Sequence, residues 1–228
     1  MIELVAAALV LIGTHYGLSS TPLRFWLVRR IGERPYLAGY SMVAFAAIIW
    51  LSATYVRAPY IEIWPTTAAG GLVPLVVLPF ALVLLVAGVS GPNPTSVGQA
   101  EALDHSDAVR GALRITRHPV MWAIGLWALA HLVANGDLAS LVFFGAFATL
   151  ALVGTLLLDA KHAARQGSTW HRFADATSNL PLVAIMTGRQ RLAIAEIGWA
   201  RIGVAVLLYI VLLALHPWLF GAPALIGR

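Results

Sequence analysis

Six long apolar runs separated by short polar connections dominate the chain, at 2–20, 37–55, 70–90, 117–135, 138–159 and 198–217. At about 1.5 Å of rise per residue, each is long enough to cross roughly 30 Å of hydrocarbon as a helix. Pro119 falls in the first turn of the fourth run, where proline is tolerated. The first run has no basic n-region and no small-residue cleavage site, so it reads as a spanning helix and not as a signal peptide. No internal repeat or low-complexity segment interrupts the pattern. It predicts an all-α, polytopic integral membrane protein of about six transmembrane helices, forming a single transmembrane domain over 1–228.

The connections alternate in charge. The first carries Arg24, Arg29, Arg30 and Arg34, the third Arg110, Arg114 and Arg117, and the fifth Lys161, Arg165, Arg172, Arg189 and Arg191. The second has Arg57, and the fourth, Asn135-Gly136-Asp137, has no basic residue. The positive-inside rule therefore places the odd connections in the cytoplasm and both termini outside. So tight a fourth connection makes spans four and five antiparallel neighbours. The stretch 165–191, with Trp170, Phe173 and Leu180 among polar residues, reads as interfacial and partly an amphipathic helix.

Composition agrees. Hydrophobic residues make up 60% of the chain and charged ones 11%, against about 25% charged in soluble domains. Membrane lipid is the partner this implies. The net charge of +5 does not point to nucleic acid, because the basic residues sit in short loops between apolar runs. The absence of cysteine removes disulfides, thiolate metal sites and thiol nucleophiles.

Ionisable residues inside spans are costly, and function is the default reading for them. His15 shares its helix stripe with Leu4, Leu11 and Leu18, and His131 shares one with Val120, Ile124 and Trp127. Either is a structural histidine, His15 bonded to a carbonyl or to a serine such as Ser41, or a ligand in an apolar pocket of the kind bis-histidine haem uses. His118 opens span four, and Asp159 and His162 lie three residues apart on one face at the cytoplasmic end of span five. These three predict an inner polar cluster in which Asp159 accepts from His118 or Arg117. His118 and His131 are about 20 Å apart along one helix, so one small site cannot use both. Depth leaves His15 free to pair with either. Arg110, Arg114 and Arg117 fall on one face of a short helix, a stripe for lipid phosphates or a clamp for an anionic group such as haem propionates. The run Gly91–Gly98, GPNPTSVG, reads as a structured loop and only weakly as a phosphate loop. His105, His171 and His216 lie in loops or at helix ends.

RITRHP (Arg114 to Pro119) and LWALAHL (Leu126 to Leu132) followed by NGD resemble the NnrU family, bacterial membrane proteins associated with denitrification. They also resemble the related plant 15-cis-zeta-carotene isomerases. The likeness extends through THYGLSS around His15, IGER (Ile31 to Arg34), Asp159-Ala-Lys161, TSNLPLVAI (Thr177 to Ile185) and GRQ (Gly188 to Gln190). It implies a multi-pass protein of the bacterial inner membrane. It also implies haem b held by two histidines, which by motif position fall on His15 and His131, with the reduced iron serving isomerisation of a carotenoid double bond. The isomerases carry a cysteine three residues before the second histidine, where this chain has Ala128, so any ligand exchange through that thiol is lost here. The family name adds a link to nitric oxide.

Three functions follow as expectations. The first is a haem b membrane protein, with Arg114 and Arg117 as the nearest cations for propionates, acting on an apolar polyene or binding nitric oxide. The second is a non-catalytic accessory factor beside a respiratory reductase. The third is a methyltransferase-like membrane enzyme using the RHP segment. For the haem reading, spans one and four must adjoin with the Cα atoms of His15 and His131 about 12–13 Å apart.

Overall fold

The computed structural model describes residues 1–19, 21–96, 99, 103 and 108–222. His105 and the end of the GPNPTSVG run lie outside them. Ten α-helices are described: α1 Ile2–Ser19, α2 Pro22–Ile31, α3 Glu33–Val56, α4 Ala68–Ser90, α5 Pro119–Ala134, α6 Leu138–Gln166, α7 Ser168–Ala176, α8 Val183–Met186, α9 Ile194–Ile197 and α10 Trp199–Phe220. A 3-10 turn, Gly111–Arg114, precedes α5. Five of them, α1, α3, α4, α6 and α10, are long and apolar enough to cross a membrane, and α5 is a shorter apolar helix of 16 residues. The fold is all-α and polytopic.

Several bounds differ from the sequence expectation for local reasons. The fourth span starts at Pro119 and not at 117, because Arg117 and His118 belong to a buried turn and proline, lacking an N–H, is suited to a first helical position. The fifth span continues to Gln166, which puts Asp159 two turns inside α6. An unforeseen helix, α2, fills the first connection, with Thr21 capping Leu23 N and Pro22 at its first position. In the 165–191 stretch, α7 forms as the amphipathic piece, but Trp170 and Phe173 turn inward onto Leu103 and Leu113. Leu180 alone of the three remains exposed.

The long helices pack in the order α10, α4, α5, α6, α1, α3, each chiefly against its neighbours in that row. Leu4, Ala7, Ala8 and Leu11 of α1 meet Ala47 and Leu51 of α3 and Ala139, Ala146 and Leu150 of α6. Leu84 and Ala87 of α4 meet Ala123 of α5. The outer faces stay apolar and exposed, as at Met42, Phe45, Val76 and Leu207, which is the surface lipid would cover. The α5–α6 turn is covered by 61–64: the Gly136 carbonyl accepts from Ile63 N and Trp64 N at 2.7 and 3.0 Å. A side chain at Gly136 would run into the Trp64 carbonyl, so glycine is required there. Asp137 caps α6 through Ser140 N, 2.9 Å.

Candidate functional site

Separate clusters of polar groups interrupt the apolar interior. The first is at the basic end. Asp159 of α6 accepts from Arg117 Nε at 2.8 Å and Nη2 at 2.5 Å, from His118 Nε2 at 2.7 Å and from Asn179 Nδ2 at 3.1 Å. Four donors on two carboxylate oxygens fill its lone pairs. His118 is fully buried. With Nε2–H given to Asp159, its Nδ1 carries the lone pair and has no partner among the described residues.

The backbone around His118 explains how the cluster is held. Thr116 Oγ1 donates to the Asn179 carbonyl and accepts from His118 N. Arg117 N donates to Ser178 O, and Leu182 N to Ile115 O. Trp122 Nε1 reaches Asn179 Oδ1 at 3.3 Å. The single Thr95 hydroxyl proton has two acceptors in reach, the Arg117 carbonyl at 3.0 Å and Asn93 Oδ1 at 2.8 Å. The segments RITRHP, Asp159-Ala-Lys161, TSNLPLVAI and GRQ, spread over 114–190, thus converge on one network. Gln190 closes it, its Oε1 accepting from Arg114 Nη1 and its Nε2 donating to Ala176 O.

Beside this network, Arg114 makes a two-pronged pair with Glu196 of α9: Nε to Oε2 at 2.7 Å and Nη2 to Oε1 at 3.0 Å. Gly111 N–H adds a third donor at 3.1 Å. The guanidinium, helped by that N–H, holds the Glu196 carboxyl below the usual glutamate range.

The histidines of the membrane interior lie elsewhere. His15 on α1 meets the Tyr40 hydroxyl of α3, with ring nitrogens at 2.8 and 3.0 Å from it. Its polar partner is therefore Tyr40, and not Ser41. His131 on α5 donates Nδ1–H to the Trp127 carbonyl at 2.8 Å. Its ring stacks on Phe144, centroids 4.9 Å apart, with Trp127 at 5.4 Å.

Against the sequence expectations, the structure brings Arg117, His118 and Asp159 together and adds Asn179. His162 is not in that cluster: it bonds Gln166 and stacks on Trp170, because three residues of helix turn its ring toward α7. Arg114 and Arg117 do not form one cationic stripe. Arg114 pairs with Glu196 and Arg117 with Asp159. His15 and His131 have different immediate partners, Tyr40 for the first and Trp127 with Phe144 for the second. Helices α1 and α5 both pack on α6. His131 stacks on Phe144, whereas Tyr16, next to His15, bonds Thr149 O, about 7.5 Å further along α6 at 1.5 Å per residue. Of these two, His131 has the hydrogen bonding of a ligand: Nδ1–H on a carbonyl leaves Nε2 as the lone-pair nitrogen, a pattern that His171 and His216 share outside the aromatic pocket. Asn179 and Gln190 fall in the segments TSNLPLVAI and GRQ that carry the resemblance, but sequence assigns no role to them, and it does not single out Glu196, because polar residues in a long connection have no periodic signal.

The fold and its polar centres define a multi-helix membrane protein with a carboxylate–imidazole–guanidinium network at its basic end. Residues 3–224 match the family described as NnrU protein, and the chain belongs to that family. It is also similar to the chloroplastic 15-cis-zeta-carotene isomerase of Zea mays, 33% identical over 82 residues. That stretch covers 36% of this chain and 22% of the maize protein. No solved structure matches the chain.

Proposed function

We propose that this protein is a haem b-binding membrane protein of the isomerase type, acting on an apolar polyene of the carotene class. The observation that carries the reading is the state of His131. Its Nδ1–H is fixed on the Trp127 carbonyl, which sets the tautomer that metal-ligating histidines use. Trp127 and Phe144 flank it as an apolar, aromatic wall. His131 is the residue that would hold the iron, and His15, bonded to Tyr40, is not assigned as its opposite partner. When bound, haem supplies a redox-active centre. The chain's own part is to orient the imidazole and keep water from it. The likeness to a carotene isomerase supports the substrate class.

The test is spectroscopic. Protein purified after expression with ample haem should show a Soret band stoichiometric with the chain, and His131→Ala should abolish it. His118→Gln should keep it, because that imidazole is bonded to Asp159 at the basic end. Loss of the band in His118→Gln but not in His131→Ala would exchange the assignment. A wild-type protein without the band would refute haem binding and favour an accessory role beside a respiratory reductase.

A further inference from the structure

At the basic end, α2 and α6 both pack on α1 and α3, and a group of charges that the Asp159 network does not use gathers there. Lys161 and Arg165 lie four residues apart on α6 and so share a helix face. The charges that act on the Lys161 ammonium are those of Arg24, Arg165 and Glu33. Glu33 is already held by Arg24, Nη2 to Oε1 at 3.1 Å, and the same guanidinium lies over the Tyr36 ring at 5.4 Å. Lys161 is half-buried and Arg165 is exposed. Neither is paired with a carboxylate among the described residues.

With Glu33 given to Arg24, the two cations of α6 have no counter-ion among the described residues. A half-buried ammonium has lost part of its hydration, and an anionic oxygen beside it offsets that cost. The surroundings select the source of the oxygen. No residue of α2 is buried, and its exposed Phe25 and Trp26 carry Arg29 and Arg30 over their rings. A helix that presents aromatic and cationic groups together belongs at the headgroup level. The outer faces of α1 and α3 are apolar and exposed, as at Leu9 and Phe45, so acyl chains have a surface to follow. We propose that Lys161 and Arg165 bind the phosphodiester of an anionic phospholipid, with its headgroup between α2 and α6. A zwitterionic headgroup brings a cation of its own to a cluster already in excess of positive charge, so a lipid with net negative charge is selected.

Thermal unfolding of the full chain in a sugar-headgroup detergent, free of phosphate, tests this. Phosphatidylglycerol should raise Tm by several degrees, and phosphatidylcholine at the same concentration by less than half as much. Lys161→Met and Arg165→Gln should each remove at least half of the phosphatidylglycerol rise. The double variant Arg172→Gln/Arg191→Gln, which takes two exposed charges from the same end of the protein, should keep it. Without lipid, Lys161→Met should unfold at or above the wild-type temperature, because it relieves repulsion from Arg24 and Arg165, whereas a lysine with a merely structural role would leave a less stable variant. The proposal is overturned by no rise with phosphatidylglycerol, by an equal rise with phosphatidylcholine or with inorganic phosphate, or by a rise unchanged in either single variant. It is equally overturned by a rise lost in the Arg172/Arg191 variant, or by a lipid-free Lys161→Met that unfolds below wild type.

Discussion

Asp159 is the residue with the most at stake. Arg117 and His118 both direct their donors to it, and its side chain is 19% exposed, so water does little to replace them. Removing one charge of such a pair leaves the other poorly solvated. Asp159→Asn keeps the shape but not the charge, and should destabilise the protein by about 2–3 kcal/mol, somewhat below the range for fully buried pairs. Arg117→Lys should cost less, about 1–2 kcal/mol, because an ammonium keeps the charge but cannot make the two-pronged contact. Thermal unfolding in detergent checks the order. If Asp159→Asn unfolds at the wild-type temperature, the network contributes nothing to stability. His118 Nδ1 is the one described buried side-chain polar atom left without a partner, an arrangement that costs about 1–3 kcal/mol.

At the scale of elements, close helix contact depends on glycine at particular depths. A Cβ on Gly88 of α4 would lie 2.9 Å from both Pro119 Cγ and Val120 Cγ2 of α5. The proline ring cannot swing aside, so the helices must separate. On Gly154 of α6 the same atom would meet only the terminal methyl of Met121, which has rotamers to spare. Gly88→Ala should therefore cost about 1–3 kcal/mol, and Gly154→Ala should stay within about 0.5 kcal/mol of wild type. Equal losses in the two variants would mean that backbone entropy, and not packing, governs both sites. Helix α2 shows a second kind of element. None of its residues is buried, and Arg29 and Arg30 lie over Phe25 and Trp26 at 5.4 and 5.3 Å, an arrangement suited to a headgroup layer.

For the whole molecule, the Arg114–Glu196 pair fastens α9 to the turn before α5. Its acid dependence has a definite sign. Folding lowers the Glu196 pKa, so the contribution is present in full above the ordinary glutamate pKa and disappears as pH falls through the lowered folded value. Tm should drop on acidification below about pH 4.3, and Glu196→Gln should show a smaller drop over that window. An identical acid profile in the variant would place the sensitivity elsewhere. Orientation is testable with the same directness, because the natural chain has no cysteine. Thr66→Cys and Met186→Cys, both at exposed positions, should label from opposite sides of the membrane, Met186→Cys from the cytoplasm. Labelling from one side would break the alternation of the spans.

The apolar runs by themselves determined the all-α membrane class and the six hydrophobic segments, since the cost of exposing backbone and polar groups to hydrocarbon allows few alternatives. The short Asn135–Asp137 connection likewise made α5 and α6 antiparallel neighbours, which put His118 and Asp159 at one end. Tertiary structure decided the rest. That α1 and α5 both pack on α6, with His15 on Tyr40 and His131 on Phe144, depends on how six similarly apolar surfaces choose among one another, and hydrophobicity does not distinguish them. The roles of Asn179, Gln190 and Glu196 depend on a long connection folding back over the helix ends. Its contacts are hydrogen bonds between groups up to 85 positions apart, and no local period in the sequence records such pairs.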